Sequence, residues 1–242
     1  TTFASTGSVV ETFIASATLT DTRIVPNLAI PLKTVNFYFV EGGTKLSNTG
    51  SNGEAAKSNF TSPSSSGVYS YIATFLGDAT YERSSSATWV LVKPRPTEVI
   101  TYPLSLYAST GTGPFNGILT ASATLRDVRN NSPMANKKIT FNFINGGIKT
   151  AETNAEGLAA VTYAVPNSSG SYNYSATFDS NLTYSGATSS SAVSVNLRPT
   201  EIATYPLKAY ASASTFNEVF IASATLTDKI LGEPVPNKKI VF

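Results

Sequence analysis

Apolar and hydroxylated residues alternate along much of this chain, most regularly in one eight-residue stretch that occurs three times. Residues 14–21 read IASATLTD, residues 120–127 TASATLRD and residues 221–228 IASATLTD. Ala15, Ala17 and Leu19, then Ala121, Ala123 and Leu125, then Ala222, Ala224 and Leu226 take every second position, with Ser and Thr between them. A period of two predicts a strand with one buried and one wet face. The copies are spaced by about 100 residues, the size of one small β-sandwich domain, so the chain reads as a tandem array.

The same alternation places the other strands. In the first repeat they are expected at Val9 to Asp21, Thr34 to Val40, Thr44 to Thr49, Gly53 to Thr61, Val68 to Leu76 and Ser86 to Val92, with turns at Gly42-Gly43, Asn52-Gly53 and Pro63 to Gly67. In the second repeat Ile139, Phe141 and Phe143 alternate with Lys138, Thr140 and Asn142, as Val35, Phe37 and Phe39 do in the first, so the aromatic face points inward. Gly146-Gly147 and Thr153 to Gly157 turn the chain, and Leu158 to Val165 runs as a strand. Tyr172, Tyr174, Ala176 and Phe178 then repeat the spacing of Tyr69, Tyr71, Ala73 and Phe75. Tyr69 and Tyr172 follow Gly-containing corners and are candidates for a tyrosine corner.

Residues 75–87 (FLGDATYERSSSA), 178–192 (FDSNLTYSGATSSSA) and 234–242 (PVPNKKIVF) resemble bacterial Ig-like repeat domains, as found in invasin-type surface proteins. The resemblance covers nearly the whole chain. It departs in the second repeat, where Asp179-Ser180-Asn181 stands in place of Gly77-Asp78, so this loop is not expected to keep one role in both copies. It implies an all-β fold of tandem immunoglobulin-like Greek-key β-sandwiches, seven strands each, displayed outside the cell, and it names no active site.

The repeats divide the chain into three: residues 1–95, an Ig-like domain whose first strand is missing; 96–198, a second Ig-like domain; and 199–242, a partial one with its first strands only. Phe3 to Gly7 aligns with Tyr107 to Gly111, so Pro96 to Leu104 has no counterpart ahead of Thr1. Residues 209–242 duplicate residues 3–37 and do not complement them, which is the pattern of a window cut from a longer array. The junctions, Lys93-Pro94-Arg95-Pro96-Thr97-Glu98 and Leu197-Arg198-Pro199-Thr200-Glu201, are short, rich in proline and free of glycine. Fixed φ angles there predict stiff end-to-end connections.

Composition removes most chemistry. The 242 residues carry a net charge of +2 with no basic cluster, which argues against nucleic acid as a partner. There is no Cys and no His, so disulfides, thiol nucleophiles and His-dependent triads are excluded by inventory. No apolar run reaches the roughly 18 residues of a membrane span, so no membrane span is expected in this stretch. The chain is therefore read as non-enzymatic, with no cofactor.

A few groups remain as candidates. Asp21, Asp127 and Asp228 end the same strand in each copy and could ligate calcium with Asp78 or Glu98, or cap a turn through a side-chain oxygen. Lys138 and Lys239 could enter an amide crosslink with Asn, but their alternation points them outward. Asn59, Asn130, Asn167, Asn173 and Asn181 begin glycosylation sequons, a number that chance accounts for in a chain this rich in Ser and Thr. Tyr81, Tyr184 and Trp89 could form a sugar platform, although a lone strand Trp is expected to be partly buried in packing. Two functions from different classes follow. One is a structural repeat region of an extracellular, cell-surface protein, building a stalk, filament or layer with other copies or neighbouring repeats as partners. The other is an adhesin module whose loops, such as Ser62 to Gly67 and Asn167 to Gly170, bind a receptor or glycan. These loops lack the aromatic and Arg anchors of binding hot spots, which favours the first.

Overall fold

A computed structural model describes residues 1–7, 9–109, 116–144, 146–210 and 219–242, and no helix occurs among them. Thr110 and Gly111, which close the YASTG motif of the second repeat, lie outside the described residues. The first repeat contributes β1 (Thr2–Phe3), β2 (Thr12–Thr18), β3 (Thr20–Asp21), β4 (Leu28–Ala29), β5 (Thr34–Phe39), β6 (Gly43–Asn48), β7 (Glu54–Thr61), β8 (Gly67–Phe75) and β9 (Ser84–Lys93). The second contributes β10 (Thr97–Thr101), β11 (Leu104–Tyr107), β12 (Ile118–Asp127), β13 (Lys138–Phe143), β14 (Gly147–Glu152), β15 (Leu158–Ala164), β16 (Gly170–Phe178) and β17 (Ala187–Asn196). The third contributes β18 (Thr200–Thr204) and β19 (Ala224–Asp228).

In the second repeat the strands form a three-stranded sheet, β10-β12-β15, and a five-stranded sheet, β11-β17-β16-β13-β14, with β11 parallel to β17. Successive strands pass between the two sheets, which is the Greek-key immunoglobulin arrangement. The opening strand is split in two. Pro103 lacks the N–H needed to continue β10 in one sheet, and the chain resumes as β11 in the other. The first repeat has the matching five-stranded sheet, β1-β9-β8-β5-β6, but its second sheet holds only β2 and β7.

The register read from the alternation holds in the second repeat. Ala121, Ala123, Leu125, Phe141, Phe143, Tyr174, Ala176 and Phe178 are all buried. In the first repeat Phe13, Phe37, Phe39 and Phe60 are buried in one cluster drawn from both sheets, with the Phe13 and Phe39 rings edge-to-face at 5.1 Å. The tyrosine corners are also present: Tyr69 donates to the Ser65 carbonyl (2.9 Å) and Tyr172 to the Ser168 carbonyl (3.0 Å).

Three expectations are modified. The strand expected over Val9 to Asp21 begins at Thr12 and breaks at Leu19, whose N–H donates to Gly53 while its carbonyl accepts from Ile30, so the pairing passes from β7 to β4. Ala17 and Leu19 are only half-buried, unlike their counterparts Ala123 and Leu125. In the third repeat Ala222 is exposed and Ala224 and Leu226 are half-buried, because β18 and β19 form a two-stranded ribbon that no further described strand covers.

By packing, the chain forms two compact units. One is residues 1–99 with 125–134 and 177–188; the other is residues 100–124, 135–176 and 189–242. The first unit therefore draws in the end of β12 and the loop after β16, and the reason is an arginine.

Candidate functional site

Arg95 sits between Pro94 and Pro96 and is completely buried. A guanidinium taken out of water must be paired or it is strongly unfavourable. Its Nε donates to Asp127 Oδ2 (2.5 Å), and its Nη1 donates to Glu11 Oε1 (2.8 Å) and the Ala4 carbonyl (3.4 Å). Burial pulls the Arg95 pKa down, but the bonds to Asp127 and Glu11 outweigh it and hold the pKa above its ordinary value. Arg129 also binds Glu11, at 3.3 Å, and lies over the Phe3 ring at 4.5 Å. Two cations and two carboxylates thus form a neutral cluster joining the start of the first repeat to a strand end of the second.

The backbone around Arg95 is clasped as well. Its N–H donates to the Thr183 carbonyl and its carbonyl accepts from the Ser185 N–H, while Val128 N–H donates to the Pro96 carbonyl. The Thr183 hydroxyl and the Ser66 N–H bond the Ser64 and Leu182 carbonyls respectively. The loop at Ser62 to Gly67, read from sequence as a possible ligand loop, is therefore partly occupied by the loop after β16.

Each of the three aspartates is held in the same way. Asp127 Oδ1 accepts from the Arg129 N–H, Asp228 Oδ1 from Ile230 and Leu231, and Asp21 Oδ1 from Arg23. These are the turn-capping bonds expected of a strand-ending Asp. The remaining oxygens face arginine: Asp127 faces Arg95, Asp228 faces Arg198 (2.5 Å), and Asp21 faces its near neighbour Arg23 (3.2 Å). The Arg198 bond holds the Asp228 carboxyl below the usual range. A calcium ion at any of these carboxylates would compete with a guanidinium. Asp78 lies in ion-pair distance of Lys33 instead, and Glu98 of Arg126. Among the described residues no three acidic side chains gather as a metal-binding group.

Departure from the family pattern at Asp179-Ser180-Asn181 does not change the loop. Asn181 Oδ1 accepts from the Thr183 and Tyr184 N–H groups, and Asp78 Oδ1 accepts from Thr80 and Tyr81 in the same way. Amide and carboxylate oxygens build one turn, because either accepts both bonds. The Lys33 ammonium and these backbone donors hold the Asp78 pKa down at about 2. Since the folded value lies below the unfolded one, the contribution of this cap is present above about pH 4 and is lost as pH falls through about 2. Amide exchange at Thr80 and Tyr81 should accelerate over that window, while Thr183 and Tyr184, capped by neutral Asn181, should not follow.

The remaining candidates lie apart. Lys138 and Lys239 are exposed, as the alternation requires. Tyr184 is half-buried beside Arg95, and burial raises its pKa. Tyr81 is half-buried beneath Lys33, whose ammonium is 5.5 Å from the ring centre. Trp89 is not packed as expected: it is 63% exposed on β9, because Val90 and Val92 take the inward positions there. Sequence reasoning missed Arg95 and Arg198. The signal was the recurrence of Arg-Pro-Thr-Glu, at residues 95–98 and 198–201, upstream of the recurring Asp.

No family model matches the chain, and neither does any curated protein. Among solved structures it is similar to the D0-D1 domain of intimin, with 17% identity, 79% of this chain and 93% of that one covered, and a TM-score of 0.30. It is similar to the fibronectin(III)-like modules of Clostridium thermocellum CbhA, with 19% identity, 77% and 86% covered, and a TM-score of 0.30. A tetra-tandem repeat from the extending region of a large adhesion protein matches at 14% identity, with 95% and 67% covered and a TM-score of 0.32.

Proposed function

We propose that this chain is a structural, non-enzymatic repeat region of an extracellular surface protein, serving as a stiff stalk, filament or layer element whose purpose is length. The observation that carries the reading is the buried Arg95 cluster. A linker of two prolines is further fixed by a guanidinium that binds the first repeat through Glu11 and Ala4 and the second through Asp127. Arg198 with Asp228 repeats half of this arrangement one repeat later. Each bond removes freedom that a Gly- or Ser-rich tether would keep. Such a device serves spacing and has no use in catalysis.

Small-angle scattering on a chain of three full repeats tests the proposal. With strands of about 11 residues at roughly 3.3 Å each, the maximum dimension should fall near 105–120 Å (roughly) with little spread. A compact particle, or a broad distribution of dimensions, overturns it.

A further inference from the structure

The three repeats differ in one respect that points to a partner. In the second, β10 lies on the outer edge of β12, and in the third, β18 lies on the outer edge of β19 with Thr200 opposite Asp228 and Ile202 opposite Leu226. Both seated strands read Arg-Pro-Thr-Glu, then an aliphatic residue, one variable residue and Thr: Arg95 to Thr101 and Arg198 to Thr204. In the first repeat the corresponding edge of β2 carries no strand among the described residues.

What the seated strand supplies in one copy is matched by a complementary feature in the other. Val99 of β10 is buried, and Ala123 and Leu125 are fully buried, whereas Ala17 and Leu19 are half-buried and border a cleft of about 240 Å³. Ser86 forms part of its wall, and the counterpart of Ser86 is Ser189, whose hydroxyl is 2.9 Å from that of Thr101. Thr22 also lines the cleft, and its counterparts Val128 and Lys229 donate their N–H groups to the carbonyls of Pro96 and Pro199. The loop at Thr80 to Glu82 has the turn of the loop that clasps the backbone of Arg95, and it is largely exposed.

The charged end matches too. Asp127 takes the linker arginine, Arg95, while Arg129 turns away to Glu11. Asp21 has no linker arginine beside it and is bonded by Arg23, the counterpart of Arg129. The local arginine stands in for the missing one.

We infer that the outer edge of β2, with the cleft beside it and Asp21 at its end, is a docking site for an extended polypeptide strand of the type Arg-Pro-Thr-Glu-aliphatic-x-Thr belonging to another repeat. The strand adds to the sheet by main-chain bonds, its aliphatic residue enters the cleft over Ala17 and Leu19, and its arginine displaces Arg23 from Asp21. The inference rests on the equivalence of the three copies and not on the stalk reading, so either can fail without the other.

A fluorescent peptide of residues 197–206 titrated into the full chain, followed by anisotropy, tests it. Saturable binding of one peptide per chain is expected, together with slowed amide exchange along β2. Arg198→Ala in the peptide and Asp21→Asn in the chain should each weaken binding roughly tenfold or more, since each removes a charge-assisted bond. Because the peptide variant leaves the protein untouched, a folding defect in Asp21→Asn does not confuse the result. No saturation at millimolar peptide, equal binding of a scrambled peptide, or binding lost in Asp228→Asn but kept in Asp21→Asn, which would mean exchange with β18, overturns the inference.

Discussion

Arg95→Ala should destabilise the first compact unit by about 3–5 kcal/mol, because it leaves the Asp127 and Glu11 carboxylates without the cation that offsets their desolvation. Asp127 is 4% exposed, so water cannot replace the lost donor there without rearrangement. Glu11 keeps Arg129 and should lose less. The effect belongs to the broken pair and not to a large intrinsic gain from the ion pair, since buried pairs often contribute little over apolar residues of the same volume. That distinction is measurable by a double-mutant cycle. Arg95→Ala with Asp127→Ala should cost clearly less than the sum of the single changes in denaturant unfolding, whereas additivity would mean that the two groups do not depend on each other. Amide exchange at Thr183 and Ser185, whose backbone groups bond Arg95, should accelerate in the same variant.

The sandwiches were legible in the sequence because their pattern is local. Phe37 and Phe141 lie inside because every second residue of their strands is apolar, and nothing beyond the strand is needed to read this. Tyr69 and Tyr172 were legible for a similar reason: the corner bond reaches back only four residues, to Ser65 and Ser168. Arg95 was not. Its partners lie 32 and 84 residues away, at Asp127 and Glu11, and a charge between two prolines reads most simply as a solvated linker residue. Alternation also says which face of a strand points inward without saying whether anything covers it. Ala17 and Ala123 carry the same pattern, but their burial differs with the presence of β10. Trp89 was misjudged from residue type alone, when its place on the outer side of β9 follows from Val90 and Val92.

Phe141→Ala should destabilise the second sandwich by about 3–5 kcal/mol. The ring is fully buried at the centre of β13, flanked two residues away on either side by Ile139 and Phe143, which are equally buried. Its removal takes away the apolar contacts of a large side chain, and the surrounding sheet can close only part of the space. The backbone on either side is fixed by pairing: Phe141 lies opposite Lys149 of β14, and its carbonyl accepts from the Tyr163 hydroxyl at 3.2 Å, so β13 cannot slide inward to fill the cavity. A shift of one residue would turn Thr140 inward and expose the whole apolar set, which the register forbids. The loss should therefore lie toward the upper part of that range. Native-state amide exchange at β13 and β16 reads the stability of this sandwich separately from the first repeat. A loss below about 1 kcal/mol there would mean that the core tolerates the cavity by collapsing, and the rigid, closely packed sandwich that a spacer needs would not be what this sequence builds.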